Sequence, residues 1–220
     1  SFSQRFKKQL EFMESNKEVG VCGTWIKIFG KGIRSKNLLP SADDETLKTN
    51  LLFSVPFPHP SVMIRSEAIK DKFHYNLKYN SIEDYKLWLD MSHTTKYSNV
   101  QEILLKYRII DTSISVTAEK NFKKRMTSSK KIFDEVLRSL DVYNSFDEDR
   151  IHFIIGFNER ISKYNLNVFD ALKYLIKILI ANKKKHVYHQ NKLKRLLQKR
   201  FLTLIYFKIV KFDLKFLILI

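Results

Sequence analysis

Prolines at three alternate positions, Pro56, Pro58 and Pro60, constrain this chain more tightly than any other feature. Each fixes its own φ near −65° and pushes the residue before it out of the helical region. The segment is therefore expected to run extended and to forbid helix. Short, mixed elements are predicted on either side. Phe6, Leu10 and Met13 recur at i, i+4 and i+7 and predict a helix over 4–16. The β-branched and aromatic run at 19–29 (VGVCGTWIKIF) predicts a strand. Residues 31–42 read as a loop. Residues 43–53 read as a short helix, with Asp43, Asp44 and Glu45 where acids favour the helix dipole. After the prolines, 61–65 (SVMIR) reads as a short strand. Residues 83–93 read as a helix with Leu87, Trp88 and Met91 on one side, and 96–100 and 103–109 as two further strands. The alternation predicts a mixed α/β domain ending near residue 115.

The remainder reads as all helix: 118–140, 147–164, 167–181 and 186–200, with a connection at 141–146. The clearest stripe is Phe169, Leu172, Ile176 and Leu179, with Asp170, Lys173 and Lys177 outside it. The expected organisation is an α/β region over 1–115 and a helical, basic region over 116–220.

Charge separates the same two regions. The chain carries a formal +17. Residues 1–115 hold 17 basic against 13 acidic residues, 116–159 hold 8 against 8, and 160–220 hold 15 against 2. The basic character thus belongs to the last quarter and points to a polyanionic partner there. Lys and Arg over 183–215 alternate with Leu, Ile, Phe and Tyr, and Lys208, Lys211 and Lys215 share one helical face. This pattern suits a helix lying on an anionic membrane surface, with 183–220 as the contact. Packing against protein is the plainer alternative, and nucleic acid fits the apolar alternation least well. The four charges within 201–220 argue against a simple membrane span.

Composition excludes several classes. With 44% hydrophobic residues and 13% aromatics, the chain is not disordered by composition. A single cysteine, Cys22, excludes an intramolecular disulfide and a Cys-based zinc cluster, and mid-strand it reads as core. No Walker loop, dinucleotide fingerprint or zinc-finger spacing occurs. His186 and His189 lie in a Lys-rich helix and read as a solvated face.

Three patterns could carry chemistry. Glu83 and Asp84 open a helix after a loop, and a carboxylate there can act as a general base toward a substrate hydroxyl. The plainer reading is a capping box from Ser81 to Asp84, and the helix N-terminus favours the ionised form. His59, between two prolines, could bind a phosphate or a sugar hydroxyl, or simply bond backbone at a turn. Asp147-Glu148-Asp149 is formally D-x-D, which can hold Mn²⁺ or Mg²⁺, but Ser145 and Glu148 also have capping-box spacing.

Four segments in one order resemble family 2 glycosyltransferases, inverting enzymes of the GT-A fold. They are 5–30 (RFKKQLEFMESNKEVGVCGTWIKIFG), 51–65 (LLFSVPFPHPSVMIR), 79–92 (YNSIEDYKLWLDMS) and 102–115 (EILLKYRIIDTSIS). The resemblance covers most of 1–115. It implies sugar transfer from a nucleotide-sugar donor to a hydroxyl of a glycan or lipid-linked acceptor, in cell-surface polysaccharide or glycolipid synthesis. Glu83-Asp84 matches the family's acidic pair, which implies Asp84 as the base. The resemblance further implies acceptor contact at Trp88 and a site border at His59. Two departures stand beside it. The family's nucleotide-binding half, with its metal-binding D-x-D, would precede the first matching segment, so a divalent metal is expected only of a longer enzyme. The family often has YRxH after its last core strand; here Tyr107-Arg108-Ile109-Ile110 puts Ile110 at the His position and leaves Arg108 to neutralise phosphate. A partial GT-A-like mixed sheet with a helical C-terminal region is the expected architecture. A cytoplasmic place on the inner membrane face is the expected location. The alternatives are a catalytically inactive fragment acting as a scaffold, or a basic helical membrane- or nucleic-acid-binding protein.

Overall fold

The structure, a computed structural model, describes residues 1–70, 73, 75–79, 82–110, 122–156 and 166–217. The expected boundary near residue 116 lies outside the described residues. So do Ser81 with its capping box, the start of the helix expected from 118, and residues 157–164 of the next. The fold class is as expected: a mixed α/β sheet with helices, and a helical C-terminal region. The chain divides into two compact units, one of Ser1–Leu51 with Val55–Ser128, the other of Leu52–Ser54 with Ser129–Ile220.

The first unit is built on β1 (Val19–Gly30), preceded by α1 (Arg5–Ser15). Val19–Thr24 of β1 is buried without alternation, as in a strand covered on both faces. β4 (Lys96–Ile109) runs parallel to β1 along its whole length. The other side of β1 takes two short antiparallel partners. These are β3 (Met63–Ile64) at Val21–Cys22 and β2 (Ile33–Leu38) at Ile26–Gly30. Helices α2 (Asp44–Asn50), α3 (Ser66–Ile69) and α4 (Glu83–Met91) complete the unit.

Three details depart from the sequence reading. The loop expected at 31–42 contains β2, which closes a hairpin on β1 through Gly32 at φ 70°, a conformation open to glycine. Its polar run Arg34-Ser35-Lys36-Asn37 gives no alternation to read, because Arg34 to Leu38 are all exposed. The two strands expected over 96–109 are one strand, in which Thr24 faces Val100 and Trp25 faces Ile103, so Gln101 and Glu102 form an irregularity. On α1 the buried residues are Arg5, Gln9 and Met13, whereas Phe6 and Leu10 are exposed.

The second unit holds α5 (Phe122–Arg138, from Ser129 onward), α6 (Phe146–Gly156), α7 (Val168–Lys185) and α8 (Gln190–Leu217). Asn167 caps α7 by accepting from the Phe169 and Asp170 amides, and His186 ends it at φ 55°. α8 runs on well past the expected end at 200. The stripe expected to face the core of α7 does not do so. Ala171, Tyr174, Leu175, Ile178 and Asn182 are buried, while Phe169, Leu172 and Ile176 are exposed. Among the described residues no helix is long and apolar enough to cross a membrane.

The second unit's core centres on His152 of α6, which is fully buried. Its Nε2–H donates to the Leu52 carbonyl at 2.8 Å, so its Nδ1 accepts from the Tyr174 hydroxyl at 2.5 Å. Phe53 stacks on the ring at 4.6 Å. Burial drives the imidazole pKa down to about 3, with the nearby Arg200 charge acting in the same direction. Arg200 donates to Ile155 and Gly156 carbonyls and to Ser54 Oγ. A Cβ on Gly156 would stand 2.7 Å from the Phe53 carbonyl oxygen, so only glycine admits this approach. Residues 52–54 are thus built into the helical core.

Candidate active site

The site begins with the prolines. Pro58 caps and Pro60 lies within a single 3₁₀ turn at His59–Ser61, a tighter path than the extended run expected. The turn is closed by the Ser61 amide and hydroxyl, which both donate to the Pro58 carbonyl at 2.9 and 2.7 Å. Helix α1 then fixes it from behind. Gln9 Nε2 donates to the Ser61 carbonyl at 2.9 Å and to the Cys22 carbonyl at 2.8 Å. Arg5 donates to the Pro60 carbonyl at 2.8 Å. This explains the polar buried face of α1: these side chains satisfy carbonyls that a turn cannot pair itself.

Helix α4 supplies the other wall. Tyr85 donates from its hydroxyl to the Leu51 carbonyl at 2.6 Å, and the Tyr97 hydroxyl donates to the Trp88 carbonyl, pinning both ends of the helix. Leu87, Trp88 and Met91 are buried, as their shared face predicts. The carboxylates of Glu83 and Asp84 then stand in the first turn, half-buried.

The structure brings four expected residues and one unexpected residue together. The His59 ring lies 5.6 Å from the Trp88 ring, tilted by 47°. Phe57 packs edge-on to Trp88 at 5.6 Å. Tyr75 Oη sits 3.2 Å from His59 Nε2. Exposure grades from His59 and Tyr75 at the surface, through Glu83 and Asp84, to fully buried Trp88. Two buried polar atoms here, Glu83 Oε2 and Trp88 Nε1, have no hydrogen-bond partner among the described residues. Sequence patterning missed Tyr75, whose pairing with His59 depends on folding across 16 residues.

Electrostatics single out Asp84. Its pKa is raised, mainly by burial; Glu83 adds to the rise, while the His59 charge and the Tyr85 amide oppose it. The Tyr85 amide donates to Asp84 Oδ1 at 2.8 Å. The helix terminus alone would favour the ionised form, and burial outweighs it. A half-buried carboxylate with raised proton affinity is suited to take a proton.

The other candidates have structural roles or stand apart. Arg108 is exposed near the end of β4, opposite Phe29. β3, which follows the His59 turn, pairs with β1 at Cys22. Seven residues of β1 separate these registers, about 23 Å of strand, so Arg108 is not brought to the cluster. Glu148 pairs with Lys177 at 2.7 Å and caps α6 reciprocally with Ser145, and Asp149 pairs with Lys130 at 2.7 Å. Among the described residues no three His, Cys, Asp or Glu group to hold a metal ion. The divalent metal that the resemblance implies is expected of a longer enzyme, with its D-x-D ahead of the first matching segment. Asp43 caps α2 through Thr46, and Asp44 accepts from the Tyr97 amide. Cys22 is buried, and its thiol pKa is pushed up to about 11 by desolvation, which leaves it inert.

Comparison with known proteins points to one class. The chain is 29% identical over 112 residues to an uncharacterised glycosyltransferase of Methanocaldococcus jannaschii, covering 48% of this chain and 37% of that protein. It is 30% identical over 112 residues to EpsE of Bacillus subtilis, which bears a provisional glycosyltransferase name, covering 49% of this chain and 39% of that protein. The chain thus spans about two fifths of the length of these curated relatives. No family model matches it, and no solved structure does. The similarity supports a glycosyltransferase.

Proposed function

We propose that this chain carries the acceptor-activating part of an inverting, GT-A-type family 2 glycosyltransferase that uses a nucleotide-sugar donor. The carrying observation is Asp84: a half-buried carboxylate of raised pKa, beside His59 and one helical turn before Trp88, with Glu83 Oε2 and Trp88 Nε1 unpartnered among the described residues. Buried polar atoms without partners are rare in folded proteins, and next to the exposed His59 and Tyr75 they suit a polar ligand such as a sugar. In this reading exposed His59 borders the acceptor, a glycan or lipid-linked alcohol, and buried Trp88 backs the histidine ring. Asp84 removes the proton from the attacking hydroxyl as its oxygen bonds to the anomeric carbon. The bond from that carbon to the donor's phosphate oxygen breaks, and its electron pair leaves with the nucleoside diphosphate. Burial keeps the Asp84 proton affinity high, and Glu83 adds to it. The residues present account for acceptor activation, and no step is assigned to a metal. In this reading the basic C-terminal region docks at an anionic membrane surface, which suits cell-surface polysaccharide or glycolipid synthesis.

The test is nucleoside diphosphate release from a panel of nucleotide-sugar donors, with membrane lipid extract as acceptor source. Asp84→Asn is expected to lower turnover by a factor of ~10² or more. Turnover equal to the unaltered protein's would remove Asp84 from the mechanism.

A further inference from the structure

We infer that the outer face of α7 is a membrane-docking surface that inserts its apolar stripe at the interface of an anionic lipid bilayer. The inference deepens the membrane part of the proposed function and moves the contact from the α8 tail onto α7. At 100° per residue, Phe169, Leu172, Ile176 and Ile180 fall within an arc of about 80°. That arc lies opposite Ala171, Tyr174, Leu175 and Ile178, which face the core. The four are respectively 75%, 36%, 45% and 52% exposed. The stripe is about 16 Å long at 1.5 Å per residue. A run of large apolar side chains on the solvent face of a helix needs a partner that water does not provide.

Charge decides which partner. Residues 168–209 hold 11 Lys and Arg against one acid, Asp170. Lys173 flanks the stripe and Lys183 and Lys184 follow it, all exposed. On α8, Lys194, Arg195 and Lys199 are exposed and are succeeded by exposed Leu202, Tyr206 and Ile209. Apolar side chains bordered by lysines match an interface of acyl chains beneath anionic headgroups. A second copy would bring a like-charged surface against this one. A nucleic acid would leave the stripe in water.

The inference is tested by co-sedimentation of the whole chain with vesicles of phosphatidylcholine alone and of 7:3 phosphatidylcholine to phosphatidylglycerol. Binding is expected to the mixed vesicles and not to the neutral ones. Phe169→Glu with Ile176→Glu is expected to weaken it about tenfold or more. Lys173→Gln with Lys183→Gln and Lys184→Gln is expected to do the same without touching the stripe, and to flatten the salt dependence. All these positions are exposed, and circular dichroism checks that the helices persist. Vesicle binding unchanged in both variants, or no vesicle binding by the unaltered chain, overturns the inference. So does a dimer that the glutamate variant dissociates, or salt-dependent duplex DNA binding in place of vesicle binding. Because no sugar transfer is measured, failure here leaves the role of Asp84 standing.

Discussion

Two histidines in this molecule sit among aromatic rings, and they differ in what is left over. At His152 both ring nitrogens are engaged, by Leu52 and Tyr174, and Phe53 and Phe133 close on the ring. Around His59, Glu83 Oε2 and Trp88 Nε1 have no partner among the described residues, Asp84 carries a raised pKa, and the ring itself reaches the surface. Full satisfaction is what a structural network needs, since an unpaired buried polar group costs about 1–3 kcal/mol. Incomplete satisfaction beside exposed side chains is what the proposed acceptor site would leave for a ligand. The first histidine builds the fold, and the second, in the proposed reading, borders the acceptor site.

The comparison can be broken by experiment. Replacing His152 with Ala is expected to cost at least about 3 kcal/mol, since it opens a cavity and leaves the Leu52 carbonyl without its donor. Chemical denaturation followed by circular dichroism would measure this, and a cost near zero would demote the network.

Acidification should separate the regions by sign. His152 is held neutral well below its ordinary pKa, so its contribution is fully present above pH 6.5 and is lost as pH falls toward its folded value of about 3. At pH 5 the loss amounts to about 2 kcal/mol. Asp84 has the opposite sign. Its raised pKa means the folded state binds the extra proton, so that site gains stability as pH falls through its folded pKa toward the ordinary Asp range. Denaturation midpoints between pH 7 and 5 check the first part, and residue-resolved carboxyl titration checks the second.

A smaller effect is expected from Gln9→Ala. It strips the donor from the Cys22 and Ser61 carbonyls, at about 1–2 kcal/mol, and loosens the turn carrying His59. The loss of turnover should exceed what the fall in stability explains.

The legibility of the sequence follows the same division. β1, α1, α2 and α4 were readable because their patterns are local: a β-branched run, a helical period, acids at a first turn. The Glu83-Asp84 pair and His59 stand out in the sequence because a helix start and prolines mark them. What failed was the choice of face. α7 has apolar residues at Phe169, Leu172 and Ile176 and also at Ala171, Tyr174, Leu175 and Ile178, so periodicity reveals a helix and not which stripe is buried. On α1 the buried face is polar because Arg5 and Gln9 answer carbonyls 55 and 52 residues away, which no local pattern encodes. The polar edge strand β2 has no buried side to alternate with. His152 lies in the run Arg-Ile-His-Phe-Ile-Ile-Gly, and a histidine inside so apolar a stretch was its one visible sign.

The most direct test of the central claim joins stability and activity in one variant. Asp84→Asn removes a carboxylate whose ionised form burial disfavours while keeping its shape. The account predicts a thermal midpoint at pH 7 unchanged or raised by about 2–4 °C, with turnover lower by ~10² or more. Full turnover at the same midpoint, or a turnover loss matched by unfolding, would contradict it.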